Sequence, residues 1–399
     1  MNNLREVMEL ASRPGVLSFA IGLPASELFP REALAEQVAR VLREDASSLQ
    51  YGLPYQPLKS GIVELMRLRG VRCTEEQIFL TSGSQQAMDL LSRLLLPPGG
   101  QVMIERAVYD GIRLATRLQK PEVLTIASDL DTGLDVDEVE ARLAGGARPA
   151  FLYAITDGHN PLGVSLSLEK RQRLAGLARR YRMPILEDDA YGFLYYGETP
   201  APPLRAFDDE WVYYMGSFSK TLAPALRAGW VVAPPPLAAR LSPLKHGADL
   251  DTPSLGHRVI SAYLESGLLP AHLEMLRDEY RRRRDTMLAA LKEHFPPEVR
   301  WNHPTSGMFV WAELPPGLDA VELLQTAVET ESVAFSPGMV FHAEADDPLG
   351  TRSMRLNFTS LSPDRIEEGI RRLGRALRTM IAVGAGEGIR TPKPEGGGF

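Results

Sequence analysis

The feature that most constrains the fold is a regular alternation of short apolar runs with helical segments through the middle of the chain. The apolar runs occupy residues 77–81, 101–105, 122–126, 150–155, 184–188, 211–216 and 229–233, and helical spacing follows several of them, at 84–96, 109–118, 168–181 and 255–267. Strands that are apolar along their whole length are buried on both faces by alternating helices. The pattern predicts an α/β fold with a mainly parallel seven-stranded sheet flanked by helices.

The two ends of the chain predict a smaller α+β domain. A long helix at 270–295 leads into strands near 308–313 and 354–358, with helices near 319–329 and 363–379. A chain of 399 residues exceeds the usual size of a single core. We therefore expect an N-terminal segment (1–30) that belongs to the small domain, a large domain that holds a cofactor (31–285), a small C-terminal domain (286–382) and a disordered tail (383–399).

Composition excludes several classes of protein. The net charge of −7, with both signs interspersed, argues against a nucleic-acid partner. The basic cluster Arg281 to Arg284 lies in an amphipathic helix, and we expect it to form a solvated face. No apolar run reaches the eighteen or so residues of a membrane span. With Cys73 as the single cysteine, no disulfide forms within the chain, which fits the cytoplasm.

One stretch after the strand at 211–216 carries reactive chemistry. It contains Ser217, Ser219, Lys220 and Arg227. A desolvated lysine at a strand end has a lowered pKa and becomes a nucleophile, while two hydroxyls and an arginine form an anion site. An amine beside a phosphate-sized anion site indicates covalently attached pyridoxal phosphate. Two alternatives are a surface lysine and the penicillin-binding Ser-x-x-Lys motif, whose Ser-Asp-Asn and Lys-Thr-Gly companions do not occur here.

Three other positions, two of them at strand ends and one within a strand, suit the same cofactor or its substrate. Gly83 opens a helix after a strand, at a turn whose free N–H groups favour a phosphate. Asp188 ends a buried strand, where a carboxylate can keep a pyridine nitrogen protonated; an acidic metal site is the alternative, but no third ligand is visible. Arg355 lies inside an apolar strand, where its planar fork suits a substrate α-carboxylate, an internal ion pair being the alternative.

Together these motifs resemble the fold-type I aminotransferases of class I, most closely the 2-aminoadipate or multi-substrate type. The resemblance covers nearly all of residues 4 to 380 and rests on the segments 13–20, 81–85, 216–220 and 247–250. It implies that Lys220 and Asp188 act in catalysis with Tyr109, which stacks on the cofactor ring. The implied cofactor-binding set is Gly83, Ser84, Gln85, Tyr109, Asn160, Asp188, Tyr191, Ser217, Ser219, Lys220, Arg227 and, from a neighbouring subunit, Tyr51.

The resemblance also implies substrates and assembly. Arg13, Gly22, Asn160 and Arg355 match positions that contact the substrate, and Tyr51 implies a homodimer. The expected reaction moves the amino group between an L-amino acid (2-aminoadipate, glutamate, leucine or an aromatic one) and a 2-oxo acid. A lyase or cyclising enzyme that diverts the same carbanion is the alternative. A transcriptional regulator is not expected, because only some twenty residues precede the segment at Gly22.

The chain departs from the family pattern just before Asn160. Asp157, Gly158 and His159 replace the commoner aromatic-glutamine pair, which leaves the lining of the substrate pocket open. We expect His159 to be a locally hydrogen-bonded histidine rather than a metal ligand, because no clustered partner is visible in the sequence.

Overall fold

A computed structural model of the chain describes residues 4–251, 253–344 and 347–387. Its helices in chain order are α1 (Leu4–Ala11), α2 (Arg31–Glu44), α3 (Gln56–Leu68), α4 (Ser84–Leu95), α5 (Asp110–Thr116), α6 (Val136–Ala144), α7 (Leu168–Tyr181), α8 (Pro235–Asp249), α9 (Ser254–Glu265), α10 (Leu269–His294), α11 (Ala320–Glu331), α12 (Pro348–Thr351) and α13 (Pro363–Glu387). Its strands are β1 (Leu17–Ser18), β2 (Ile78–Thr81), β3 (Gln101–Glu105), β4 (Glu122–Ile126), β5 (Ser128–Asp129), β6 (Gly133–Leu134), β7 (Phe151–Ala154), β8 (Ile185–Asp189), β9 (Val212–Ser217), β10 (Gly229–Val232), β11 (Arg300–Trp301), β12 (Phe309–Glu313), β13 (Val333–Ala334), β14 (Ser336–Pro337) and β15 (Ser353–Asn357).

The predicted seven-stranded sheet is confirmed. Its strands lie in the order β2-β10-β9-β8-β7-β3-β4, and β10 alone runs antiparallel to its two neighbours. An antiparallel neighbour needs no helical crossover. The connection from β9 to β10 can therefore be the short segment that carries Lys220, placed directly at the edge of the sheet.

Both faces of this sheet are buried, as its apolar strands predict. Along β7, Phe151 and Tyr153 belong to one hydrophobic cluster while Leu152 and Ala154 belong to another, which also contains residues of α6 and α7. The parallel strands β3, β7, β8 and β9 end at the same edge, which is where ligands bind in open α/β sheets. This edge therefore gathers the polar residues that follow each strand.

A second sheet lies in the C-terminal part of the chain, with its antiparallel strands in the order β11-β12-β15-β14. The N-terminal segment joins this region: β1 pairs with β13, and the Phe19 backbone accepts a hydrogen bond from the Asn357 N–H at 2.9 Å. The predicted division at 285 falls inside the continuous helix α10, so the domain boundaries stay a prediction.

Several details differ from the sequence predictions. Helices α6, α8 and α12 have no predicted counterpart, and α13 continues to Glu387, into the predicted tail; residues 388–399 lie outside the described chain. Arg283 is buried rather than solvated, because its guanidinium pairs with Glu27 at 2.9 Å and with Glu279 at 2.6 Å. No helix in the described ranges is long and apolar enough to cross a membrane.

A buried ion network supports the carboxyl ends of β7 and β8. Asp157 accepts from Arg171 at 2.7 Å and from Arg69 at 2.7 Å, and Arg69 also reaches Asp189 at 3.1 Å. Burial alone would raise the pKa of Asp157, but Arg171 and then Arg69 hold it below its ordinary value. Asp157 therefore faces the two arginines and anchors the segment that leads to Asn160.

Removal of the Asp157 carboxylate tests this network. Asp157→Asn leaves two buried arginines undercompensated, so we expect the free energy of unfolding to fall by about 3–5 kcal/mol, the usual cost of breaking a buried pair. Asp137→Asn is the matched control, because Asp137 pairs with Arg173 on the surface, where it is 82% exposed, and we expect almost no change there. Denaturant unfolding of cofactor-free protein measures both, and equal effects would contradict a structural role for Asp157.

Candidate active site

Lys220 lies at the carboxyl end of the sheet, three residues after β9 ends at Ser217. Its Nζ donates a hydrogen bond to the carbonyl of Gly22 at 2.9 Å, so the N-terminal segment passes directly over the amine. Burial, and then the charge of Arg355, lowers the pKa of Lys220 to about 8. Much more of the amine is therefore neutral and nucleophilic near physiological pH than in an ordinary lysine, although the protonated form still predominates.

Asp188 lies on the adjacent strand β8, with its carboxylate buried. Its Oδ2 accepts a hydrogen bond from the Tyr153 hydroxyl at 2.7 Å, while its Oδ1 is buried without a hydrogen-bond partner among the described residues. Burial raises the pKa of Asp188 to about 6. An unpartnered buried carboxylate oxygen is costly, and a protonated ring nitrogen would satisfy it.

A donor-rich cradle surrounds the first turn of α4. Gly83 has φ +85°, and a Cβ at this position would lie 2.7 Å from Nη2 of Arg227. The Arg227 guanidinium can therefore pack against Gly83 only because this residue has no side chain. The same Nη2 donates to the Ser82 carbonyl at 2.7 Å. The N–H groups of Ser84 and Gln85 begin the helix and have no partner within it.

Two serines extend this cradle from the β9 side. The Ser217 hydroxyl donates to the Ser219 hydroxyl at 3.0 Å and accepts the Ser219 backbone N–H at 3.1 Å. One cation, free helical N–H groups and two hydroxyls together fit a phosphate. The structure thus brings together the residues predicted for phosphate binding, and their binding of a phosphate stays a prediction: Gly83, Ser84, Gln85, Ser217, Ser219 and Arg227.

Three further predicted residues surround the same space. Tyr109 follows β3, with its hydroxyl 3.4 Å from Oε1 of Gln85, and burial raises the pKa of Tyr109, with Asp188 adding to the shift. Asn160 follows β7 and accepts from Arg355 through its Oδ1 at 2.7 Å. Tyr191 hydrogen-bonds Asn160 and packs edge-on against Phe309, with ring centroids 5.9 Å apart.

Arg355 is a buried cation at the boundary of the two sheets. Its guanidinium lies between the rings of Phe309 and Phe341, 4.3 and 4.4 Å from their centroids, and donates to the Ala20 carbonyl at 2.7 Å. Within the described ranges it has no acidic partner, so the alternative of an internal ion pair is not observed. Burial lowers the pKa of Arg355 to about 10. Such a group favours an incoming carboxylate.

Gly22 lets the backbone approach this arginine. A Cβ on Gly22 would lie 3.1 Å from the Phe309 ring and 3.8 Å from Nη1 of Arg355. The carbonyl of Gly22 receives Lys220. Gly22 therefore lies between the Lys220 amine and the Arg355 guanidinium, and its predicted contact with the substrate stays a proposal.

Tyr51 and Arg13 lie apart from this cluster. The Tyr51 side chain is 75% exposed on the loop between α2 and α3, and the Arg13 side chain is exposed just after α1. In the part of the chain that the structure describes, neither side chain has a hydrogen bond or ion pair with another predicted site residue. Their predicted roles, one across a subunit boundary and one toward the substrate, stay proposals.

The altered segment before Asn160 does not place its first two residues in the site. Asp157 belongs to the ion network, and Gly158 has φ +55° and packs so closely on the Gly307 backbone that a Cβ would not fit. Nε2 of His159 lies 2.8 Å from Oε2 of Glu105, and its Nδ1 accepts the Leu162 N–H at 3.3 Å. The prediction of a locally hydrogen-bonded histidine is confirmed.

Sequence reasoning missed Tyr153, Phe309 and Phe341. The alternation of side chains along β7 could have indicated Tyr153, because residues two apart in a strand share a face. The two phenylalanines carry no comparable signal, since aromatic residues in apolar segments usually belong to the core. In the described ranges, no group of three His, Cys, Asp or Glu residues is placed to hold a metal ion.

These residues fit pyridoxal phosphate. The cradle around Gly83 suits its phosphate, the unpartnered Oδ1 of Asp188 suits its ring nitrogen, and Lys220 has the lowered pKa that covalent attachment requires. A surface lysine would show none of these features.

Comparison with known proteins agrees with this geometry. Residues 14–373 match the family model for aminotransferase class I and II. The chain is 42% identical over 389 residues to the 2-aminoadipate transaminase of Thermus thermophilus, covering 96% of this chain and 95% of that protein. It is 38% identical to aromatic-amino-acid aminotransferase 1 of Thermococcus litoralis, covering 94% and 91%.

A solved structure is similar over the same extent. LysN, an alpha-aminoadipate aminotransferase from Thermus thermophilus, was determined in complex with N-(5'-phosphopyridoxyl)-L-leucine. It aligns with a TM-score of 0.87 at 41% identity, covering 95% of each chain.

The Lys220 environment generates a pH prediction. In cofactor-free protein, the rate of borohydride-reducible attachment of pyridoxal phosphate should rise with pH and level off above a midpoint near 8, because only the neutral amine attacks. Lys220→Ala should abolish the reducible link while the cradle still holds cofactor weakly. Lys59→Ala is the control, since burial also lowers the pKa of Lys59 but it lies on α3. A reducible link that survives in Lys220→Ala would refute the assignment.

Proposed function

Since the chain belongs to the class I and II aminotransferases and uses pyridoxal phosphate, we propose that it transfers the amino group of acidic L-amino acids such as 2-aminoadipate and glutamate to a 2-oxo acid. We propose that leucine and aromatic amino acids are further substrates. The observation that carries the proposal is Arg355, a buried guanidinium without a carboxylate partner in the described chain, beside Asn160 and Gly22. The lyase alternative is not favoured, because the similar proteins are transaminases.

In the proposed mechanism Lys220 is both the attachment point and the proton carrier. Lys220 would hold the cofactor covalently until a substrate amine takes its place, and its Nζ, with its lowered pKa, would then remove the proton from the substrate Cα. Asp188 would keep the ring nitrogen of the bound cofactor protonated. When bound, pyridoxal phosphate supplies the electron sink that stabilises the Cα carbanion.

The remaining site residues hold and orient the two ligands. Tyr109 would lie against the cofactor ring, and Tyr191 and Asn160 would donate to its phenolic oxygen. The phosphate would be bound by Gly83, Ser84, Gln85, Ser217, Ser219 and Arg227. Arg355 pairs bidentately with the substrate α-carboxylate, with Asn160 and Gly22 beside it. This pairing fixes the Cα–H bond relative to Lys220, so that a proton can move over a short distance.

We propose that Arg13 selects the substrate side chain. Arg13 is exposed and has no ion pair within the described ranges. It precedes the segment whose Ala20 carbonyl accepts a hydrogen bond from Arg355. An arginine there can turn inward to a distal carboxylate or outward to admit an apolar chain. The similar proteins support both modes, since one is named for 2-aminoadipate and another for aromatic amino acids.

We further propose a homodimer in the cytoplasm. Leu49, Tyr51 and Leu53 expose 76%, 75% and 92% of their surface on one loop, where a second subunit would cover them. The Gly52 N–H donates to Asp251 at 3.0 Å and so holds this loop against the link between α8 and α9. Tyr51 would then reach the phosphate bound in the neighbouring subunit.

The side-chain proposal is tested by kcat/KM for 2-aminoadipate, glutamate, leucine and phenylalanine. Arg13→Ala should lower kcat/KM for the two acidic substrates by the equivalent of about 1.5–3 kcal/mol, the range for a hydrogen bond to a charged group, and leave kcat/KM for the other two nearly unchanged. Arg355→Ala is the contrasting variant: it should lower kcat/KM at least about tenfold for all four, since each carries the α-carboxylate.

Parallel losses across the four substrates in Arg13→Ala would mean that Arg13 only holds the N-terminal segment in place. An unchanged kcat/KM in Arg355→Ala would remove Arg355 from the site and with it the observation that carries the proposed function.

A further inference from the structure

Two adjacent carboxylates at the end of β8 each receive a tyrosine hydroxyl from a neighbouring strand. Tyr153 on β7 donates to Oδ2 of Asp188 at 2.7 Å, and Tyr214 on β9 donates to Oδ2 of Asp189 at 3.0 Å. Successive side chains of a strand point to opposite faces. The two Tyr–Asp pairs therefore lie on opposite sides of the sheet, with Asp188 alone on the side of Lys220.

The two carboxylates differ in their remaining partners. Asp189 accepts from Arg69 at 3.1 Å and from the Gly192 N–H at 2.6 Å, so both of its oxygens are bound. Asp188 receives the Tyr153 hydroxyl on Oδ2, and its Oδ1 has no partner in the described chain. The hydroxyl of Tyr153 thus decides which oxygen of Asp188 is free and where it points.

The surroundings of Asp188 shift its pKa in opposite directions, and the Tyr153 hydroxyl is one of the groups that lower it. Burial raises the pKa of Asp188, and the carboxylate of Asp189 raises it further, whereas the Tyr153 hydroxyl, Lys220 and His159 lower it. The hydroxyls of Tyr109 and Tyr191 also face Asp188. Burial raises the pKa of Tyr153 well above 10, so its hydroxyl keeps its proton and donates throughout the working pH range.

We propose that Tyr153 is a positioning residue that holds Oδ2 of Asp188 so that Oδ1 faces the cofactor ring nitrogen and the carboxylate stays ionised. The inference rests on the role proposed for Asp188. Tyr153 itself is fully buried behind the carboxylate and acts through it. Without its hydroxyl, Asp188 loses a hydrogen bond to its charged form and is free to rotate.

The test compares Tyr153→Phe with Tyr214→Phe in the cofactor-loaded enzyme. Each variant removes one buried hydroxyl that donates to an aspartate at the end of β8, so their costs in thermal stability should be similar. The first readout is the pH midpoint of the visible absorbance change of the Lys220-linked cofactor. When the ring nitrogen is less protonated, the cofactor ring carries less positive charge. The nitrogen that links the cofactor to Lys220 then keeps its proton to higher pH, and the midpoint rises.

For Tyr153→Phe we expect the midpoint to rise by about one pH unit, which corresponds to tenfold in the proton equilibrium. We expect kcat to fall about tenfold while KM stays within about twofold, as for an interaction made mainly in the transition state. Tyr214→Phe should change neither quantity. 3-Fluorotyrosine at position 153 has nearly the same size and is a stronger donor, so the midpoint should fall below that of the unsubstituted enzyme. If Tyr153→Phe fails to fold, an unchanged midpoint with 3-fluorotyrosine would refute the role of Tyr153.

Asp188→Asn distinguishes the role of Tyr153 from the role of Asp188. It should raise the midpoint at least as far as Tyr153→Phe does. If Asp188→Asn behaves in this way while Tyr153→Phe matches Tyr214→Phe in midpoint and kcat, the role of Tyr153 is refuted and that of Asp188 stands. If Asp188→Asn leaves the midpoint unchanged, the assignment of Asp188 itself is wrong.

Discussion

The structure depends on charges that the fold buries without satisfying them internally. Arg355 has two aromatic rings and two neutral acceptors as neighbours, and Asp188 has one free oxygen. Lys220 is held as a partly neutral amine between them. Each of these states is costly in an empty site and is relieved by a ligand of complementary charge. The free energy that these buried charges cost the folded protein is recovered when a cofactor and a substrate of complementary charge bind.

The sheet brings these groups together from distant parts of the chain. Asp188 lies near the end of β8, while Asn160 and Lys220 follow the neighbouring parallel strands β7 and β9, so the three meet at one edge. Arg355 comes from the second sheet, and the segment from Ala20 to Gly22 connects the two by accepting a hydrogen bond from each side, from Arg355 and from Lys220. The position of that segment over the site is therefore tied to both Arg355 and Lys220.

Sequence reasoning was most successful where the chemistry is periodic or local. The seven apolar runs predicted the sheet because burial on both faces leaves a recognisable pattern. Lys220 and Asp188 near strand ends, and Arg355 inside a strand, could be proposed as site residues because polar groups interrupt that pattern. Arg283 was predicted wrongly because its partner Glu27 is remote in sequence. The ion-pair partners of Asp157 were not predicted either, because Arg69 and Arg171 come from two different helix regions. Long-range pairing of charges is set by the tertiary fold and leaves no local signal.

The central claim is that this site transfers an amino group rather than eliminating it, and a single half-reaction tests it most directly. Cofactor-loaded enzyme is mixed with excess 2-aminoadipate in the absence of any 2-oxo acid, and absorbance, 2-oxo acid and ammonia are followed together. The account predicts one equivalent of aminated cofactor and one of 2-oxo acid per site, with no ammonia, after which the reaction stops. Continued turnover with release of ammonia would contradict it.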